Sequence, residues 1–306
     1  MNEITKHPDR ATLLGFVVTV VLLGANFVAV RFSNLELAPF WGAAIRFGVG
    51  SLILLLVMRF RKLPWPSRSG LGGAIVYGFL NFGISYALIY WALLSIPSGL
   101  TAVIFSTLPL ATLLIATLIG LERLGSRNIV GALVAVTGVT IIFFQPDFAS
   151  VRVAPVVAII VAVIVGAIAS VLIKRMAKPH PVTLNAIGMG VGTVFLLMSS
   201  WVAHEPKIIP ILPATWLALG WLTMSAIIAF LLFVWIVGRW TASAATYALV
   251  LAPLVTIMLG AWLINESFTT SFLIGSVIAL VGAYLGASRP RSKTRSADQA
   301  TTFTRQ

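Results

Sequence analysis

Long apolar stretches separated by short polar breaks occupy almost the whole chain. Each stretch holds roughly 20 residues, which is the length that an α-helix needs to cross the ~30 Å hydrocarbon core of a bilayer. The breaks are a few residues long and leave no room for an inserted soluble domain. The pattern predicts ten helices, near residues 11–30, 39–58, 71–94, 98–119, 128–145, 153–173, 182–203, 213–237, 242–264 and 270–287.

The second half of the sequence repeats the first at an offset of 144 residues. The stretch 109–138 aligns without gaps on 253–282, with Glu122 on Glu266 and Gly138 on Gly282. Five spans per repeat is an odd number, so the second copy enters the membrane from the opposite side. The fold class predicted is an all-α polytopic membrane protein with ten transmembrane helices as two inverted five-helix repeats. The predicted divisions are a first repeat at 1–146, a second, inverted repeat at 147–288 and a disordered basic cytoplasmic tail at 289–306.

Composition supports a membrane protein, and the charge pattern orients it. The chain is 59% hydrophobic and 9% charged, with a mean hydropathy of +1.03, whereas soluble proteins carry about 25% charged residues. Of its 21 Lys and Arg residues, 17 fall on one side of the ten predicted spans, three on the other, and Arg46 lies within a span. The positive-inside rule then places both termini in the cytoplasm. The net charge of +13 is explained by topology, so we expect no nucleic-acid partner.

The residues that usually carry catalysis or ion coupling are missing from the predicted spans. All eight acidic residues and all three histidines fall in loops or termini, and the chain has no cysteine. A proton-coupled carrier normally keeps a carboxylate or a histidine at mid-membrane, so we expect uncoupled or weakly coupled transport. No metal-ligand cluster and no GxxxxGK[ST] phosphate loop is present. The chain is therefore predicted not to be an enzyme, to bind no cofactor or metal, and to work without ATP.

The paired motifs resemble those of the drug/metabolite transporter superfamily, specifically the bacterial EamA-type metabolite exporters. That family carries a Pro-Leu pair in the fourth helix of each repeat, a Gly-Glu-like turn and a Gly-rich fifth helix. Here Leu121 and Asn265 stand where the family usually has the Gly before Glu. The matching residues are Pro109, Leu110, Glu122, Gly131 and Gly138 in the first repeat, and Pro253, Leu254, Glu266, Gly275 and Gly282 in the second.

The resemblance implies a multi-pass protein of the bacterial inner membrane that exports small metabolites by alternating access. Amino acids, including aromatic ones, are the expected substrates, held in a cavity among spans 1, 3, 4, 6, 8 and 9. Export of nucleobases, nucleosides or drugs is the alternative within transport, and a lipid flippase or membrane scaffold is the alternative outside it. Apart from the small-molecule substrate and the lipid bilayer, no partner is expected, and the protein is predicted to be a monomer or a weak dimer.

Polar and aromatic residues inside the spans are the candidates for substrate binding. In the third span, Tyr77, Asn81 and Ser85 share one helical face and Tyr86 lies on the adjacent face. Asn26 in the first span has Ser170 as its counterpart in the sixth. Packing, interface anchoring and helix–helix hydrogen bonds are the structural alternatives for such residues. The candidate substrate-binding residues are Asn26, Tyr77, Asn81, Ser85, Tyr86, Thr101, Ser106, Trp235, Ser243 and Tyr247.

Three further features have both a functional and a structural interpretation. Pro109 and Pro253 lie near the middle of equivalent spans and are predicted to bend them, either as hinges or for packing alone. Arg46 is either a cation that meets a substrate carboxylate or an arginine that extends outward to the interface or to helix-end carbonyls. The small-residue patterns at 188–192 and 282–286 predict close helix packing within the chain.

Overall fold

A computed structural model describes residues 9–121, 125–143, 152–175, 180–239 and 242–287. All regular structure in these residues is helical. The helices are α1 Arg10–Ser33, α2 Pro39–Phe60, α3 Arg68–Gly78, a π-helical segment Phe79–Ser85, α4 Tyr86–Ala92, α5 Ser98–Phe105, α6 Leu108–Leu118, α7 Ser126–Phe143, α8 Val153–Arg175, α9 Pro181–Val202, α10 Pro213–Arg239, α11 Ala242–Ile264 and α12 Thr270–Ala287.

These helices form the ten predicted spans. Six of the described segments are long and apolar enough to cross a membrane, and four shorter ones are equally apolar. Helix α3, the π-helical segment and α4 run on as one span, Arg68–Ala92, while α5 and α6 together make another, Ser98–Leu118. Most boundaries agree with the sequence prediction within a few residues, because a backbone in lipid must bond internally along its whole apolar length. The tail predicted at 289–306 lies outside the described residues.

The packing of the helices follows the inverted symmetry of the repeats. Helix α7 packs along its counterpart α12, and α2 packs along α9. Helix α1 contacts α10 and α11, and its counterpart α8 makes the equivalent contacts with the third and fourth spans. Each repeat therefore completes its core only against the other.

Glycine makes the closest of these contacts possible, as the small-residue patterns predicted. A Cβ built on Gly282 would lie 2.1 Å from the backbone N of Ala135, and one built on Gly78 would lie 2.5 Å from the Cα of Gly188. No side chain fits at such distances, so both positions need glycine. The patterns at 188–192 and 282–286 thus serve packing within the chain.

The third and fourth spans contain two irregularities that bear on the site. The π-helical segment in the third span was not predicted from the sequence, and segments of this kind often occur at functional sites. In the fourth span the helix is interrupted at Ser106 and Thr107, just before Pro109. In contrast, Pro253 lies inside the uninterrupted α11. The two symmetry-related prolines therefore have different effects on their helices.

Candidate functional site

A cavity of about 100 Å³ lies inside the bundle, between helices of both repeats. It is enclosed by α1, α2, α4, α5 and α11. Four predicted site residues line it, namely Asn26, Tyr86, Ser106 and Pro253. The other lining residues are Leu23, Phe27, Val30, Arg46, Ile89, Ala102, Phe105, Leu249 and Ala252. We call this space the central cavity.

Among the described residues that line the central cavity, Arg46 alone carries a formal charge. Its residue is 2% exposed, and its guanidinium carbon lies 4.9 Å from the ring centroid of Phe47 and 5.3 Å from that of Tyr86. Its Nη1 donates a long hydrogen bond of 3.5 Å to the Tyr90 hydroxyl, and its Nε has no acceptor among the described residues. The interpretation of Arg46 as an arginine that extends to the interface is therefore wrong. Sequence reasoning omitted it from the candidate list, although a charge inside a span was the signal.

The two prolines act on the central cavity through the carbonyls that precede them. Proline has no N–H, so the carbonyl four residues earlier loses its usual helical donor. For Pro109 that residue is Phe105, and for Pro253 it is Leu249; both line the central cavity. In each repeat, therefore, a residue whose carbonyl lacks its helical donor lines the central cavity.

Asn26 links α1 to α10 as well as lining the cavity. Its Oδ1 accepts a hydrogen bond of 2.7 Å from the Ser225 hydroxyl. Ser170, its counterpart by sequence, donates instead to its own helix at the Gly166 carbonyl. Two residues before Asn26 on α1, the Gly24 carbonyl accepts a hydrogen bond of 2.7 Å from the Thr256 hydroxyl of α11. The bond at Asn26 is thus part of a polar contact between α1 and the second repeat.

The remaining candidate residues lie outside the central cavity or outside the described side chains. The Asn81 amide donates to the Tyr77 hydroxyl at 3.3 Å, and the hydroxyls of Ser85 and Thr101 donate to the carbonyls of Ala162 and Pro97. Trp235 is 38% exposed and lies beneath the Arg239 guanidinium. The side chains of Ser243 and Tyr247 are outside the part of the chain that the structure describes. The implied set of spans also changes, because span 2 contributes Arg46 and spans 6 and 8 contribute no lining residue among those described.

Three glutamates join the repeats at one end of the bundle, which we call the acidic end. Glu266 of the second repeat accepts from the Ser98 N–H at 2.9 Å and from the Ser98 hydroxyl at 2.8 Å. The Arg31 Nε lies 3.7 Å from the same carboxylate, and Arg31 also donates to the Ile96 carbonyl at 3.0 Å. Glu266 thus caps the start of α5 in the other repeat. Its counterpart Glu122 lies outside the described residues.

Each of the other two glutamates accepts hydrogen bonds from N–H groups at or just before the start of a helix in the opposite repeat. Glu205 of the second repeat accepts from the N–H groups of Phe40 and Trp41 at the start of α2. Glu36 of the first repeat accepts from the Thr215 hydroxyl at 2.6 Å and from two N–H groups at the start of α10. The Thr215 bond, followed by these backbone bonds, holds the pKa of Glu36 below its ordinary value. The acidic end is therefore closed by bonds that cross from one repeat to the other.

A larger groove of about 420 Å³ lies between α1, α10 and α11. Its lining consists of apolar residues such as Val28, Phe32, Leu217 and Leu263, with the Trp221 ring among them. Such a surface gives a polar metabolite no hydrogen-bonding partner beyond the indole. The central cavity is therefore the candidate substrate site.

Comparisons with known proteins agree with this architecture. The profile of the EamA-like transporter family matches residues 10–144 and 153–287, once in each repeat. An uncharacterized transporter of Archaeoglobus fulgidus is 26% identical over 88% of this chain and 95% of its own length. The uncharacterized inner membrane transporter YedA of Escherichia coli K12 is also 26% identical, over 88% of this chain and 90% of its own. A solved crystal structure superposes with a TM-score of 0.63 at 19% identity, covering 90% of this chain and 96% of that one.

Proposed function

The chain belongs to the EamA-like transporter family of the drug/metabolite transporter superfamily, and we propose that this membrane transporter exports amino acids by alternating access. In this proposal it is not an enzyme and uses neither ATP nor a cofactor. It resides in a bacterial inner membrane with both termini in the cytoplasm, so that the acidic end faces the periplasm. The family membership supports transport, and the contents of the central cavity support the substrate class.

The observation that carries the proposal is the composition of the central cavity. Tyr86, Ser106 and Asn26 line it with their hydroxyl and amide groups, and so do Phe105 and Leu249, whose carbonyls lack the helical donor that Pro109 and Pro253 cannot supply. These acceptors suit the ammonium group of an amino acid. The apolar wall that includes Phe27 and Ile89 suits a short apolar side chain. The volume of about 100 Å³ corresponds to about three water molecules, so small amino acids fit this conformation better than aromatic ones.

The mechanism that we propose uses the bonds at the acidic end as one gate. Release on that side requires Glu266 to leave Ser98 and Arg31, while the cavity residues keep the substrate until then. The helix break before Pro109 and the proline within α11 are the proposed hinges, since each weakens the helix at the cavity wall. No acidic residue or histidine lies within a described span, which supports movement of substrate down its own gradient.

Efflux from proteoliposomes tests the proposal. The purified protein is reconstituted with labelled threonine, methionine and phenylalanine inside, with and without an imposed pH gradient. We expect efflux of threonine to be fastest and to be the same with and without the gradient. Efflux that depends on the gradient would retain the exporter and refute uncoupled transport, and no efflux of any amino acid would refute the substrate class.

A lipid flippase is the second candidate, because the 420 Å³ apolar groove between α1, α10 and α11 has the character of a site for an acyl chain. Labelled phospholipid in the same vesicles distinguishes the two. Transfer of the lipid between leaflets without efflux of amino acids would favour the flippase.

A further inference from the structure

We infer that Arg46 binds the carboxylate of the transported substrate, so that the central cavity selects molecules with one anionic end. The inference deepens the proposed function, because it names the chemical group that the same site recognises. It also excludes nucleosides, amines and cationic drugs as good substrates. The inference rests on the burial and the contacts of the guanidinium.

The charge of Arg46 has no counter-ion within the described chain. The described carboxylates are engaged elsewhere: Glu36, Glu205 and Glu266 at the acidic end, and Asp9 with Thr12 and Arg239 near the start of α1. A cation buried to this extent in a membrane protein normally pairs with an anion or with several carbonyls. The partner that is missing here is one that the substrate can supply.

The contacts that Arg46 makes use few of its N–H donors. Phe47 and Tyr86 contact the guanidinium through their rings, which hold the group by cation–π attraction. Such contacts do not consume the N–H donors, which point outward in the guanidinium plane. Within the part of the chain that the structure describes the Nε has no acceptor, and the 3.5 Å bond from Nη1 to the Tyr90 hydroxyl is long enough to be exchanged for a stronger one. A carboxylate can accept two parallel hydrogen bonds from neighbouring N–H groups of one guanidinium.

The rest of the cavity restricts which carboxylates fit. The wall formed by Leu23, Phe27 and Phe105 is apolar, and the volume admits only a small molecule. A short chain with a carboxylate at one end therefore satisfies both the charge and the shape. Tyr86 acts as a positioning residue in this arrangement, since its ring contacts the guanidinium and it lines the cavity.

The test compares the efflux of threonine with that of threonine amide, in which an amide replaces the carboxylate. The proteoliposomes hold either the wild-type protein or one variant. Arg46→Gln removes the charge, and Arg46→Lys keeps the charge but lacks the paired N–H donors of a guanidinium. Arg59→Gln is the control, because Arg59 is an exposed arginine of the same helix. We expect wild type and Arg59→Gln to prefer threonine, and Arg46→Gln to lose about 10- to 100-fold in kcat/KM for threonine and to lose that preference. Arg46→Lys is expected to lie between them. Retention of the preference by Arg46→Gln would overturn the inference.

Stability without substrate provides a readout that does not depend on transport. An uncompensated buried charge destabilises the protein, so Arg46→Met is expected to raise the apparent Tm of the substrate-free protein. A fall in Tm would show that Arg46 is a structural group and would overturn the inference.

Binding of lactate, which has a carboxylate and no ammonium group, separates this inference from the proposed function. Lactate bound by wild type and not by Arg46→Gln, with no amino acid bound by either, would refute amino-acid export and support the role of Arg46.

Discussion

The contact between α7 and α12 offers a sharp test of the fold. Gly282→Ala would place a Cβ 2.1 Å from the backbone N of Ala135, 2.6 Å from its Cα and 2.7 Å from the carbonyl O of Gly131. Ordinary contacts of a Cβ begin near 3.4 Å. The backbone of α7 would therefore have to retreat by more than an ångström, and a backbone cannot escape by changing a rotamer.

The expected effect is a net loss of stability. Overpacking of this kind costs about 1–3 kcal/mol, and the better helix propensity of alanine returns about 1 kcal/mol at most. Gly220→Ala in α10 is the matched control, since a Cβ there meets nothing within 4 Å. Gly138→Ala tests the same contact from the other helix, where the new Cβ would lie 2.2 Å from the N of Ala279.

The assay is thermal unfolding of the purified protein in detergent, followed by the fluorescence of its nine tryptophans. At roughly 2 °C per kcal/mol for a large domain, Gly282→Ala and Gly138→Ala should lower the apparent Tm by a few degrees. Gly220→Ala should leave it unchanged or raise it. Equal Tm values for Gly282→Ala and Gly220→Ala would refute the close approach of α7 and α12.

Three further predictions concern the gate, its pH dependence and the hinge. Glu266→Gln should weaken closure of the acidic end. A membrane-impermeant maleimide added on that side should therefore label a Ser106→Cys variant faster, and the chain has no other cysteine. An unchanged labelling rate would contradict the gate. Because the pKa of Glu36 is lowered in the folded protein, its bond to Thr215 stabilises the protein above about pH 4.5 and is lost as the pH falls through the lowered pKa. The apparent Tm of wild type should therefore fall more steeply below pH 4.5 than that of Glu36→Gln, and parallel curves would contradict this. Pro253→Ala should restore a helical hydrogen bond, raise the apparent Tm and slow efflux several-fold, whereas unchanged efflux would show that this proline serves packing alone.

Membership of the family and the number of spans could be predicted from the sequence because both depend on local pattern. An apolar stretch such as 39–58 must form a helix across the bilayer, since lipid offers its backbone no other hydrogen-bonding partner. The alignment of Gly138 on Gly282 was also informative, because a glycine repeated in both halves marks a place where two helices touch.

Three of the ten candidate substrate residues line the central cavity, as does the hinge candidate Pro253, and the reason for the shortfall is physical. A helix in a membrane is apolar on the face toward lipid and on the face toward its neighbours, so hydropathy does not show which way it turns. The sequence could therefore not show that Asn26 bonds to Ser225 rather than lying opposite Ser170. It also gave no sign of the π-helical segment, which changes the register of the third span.

The sequence by itself determined that this chain is a ten-span transporter of two inverted repeats, because chain length, hydropathy and repetition are properties of the linear pattern. Only the tertiary structure decided that Arg46 turns inward between Phe47 and Tyr86, with no counter-ion among the described residues. It also decided that Pro109 follows a break in its helix while Pro253 lies in a continuous one. The physical reason is the same in both cases: the orientation of a side chain and the bend of a helix depend on the neighbours that pack against them, and those neighbours lie on helices that only the folded chain brings together.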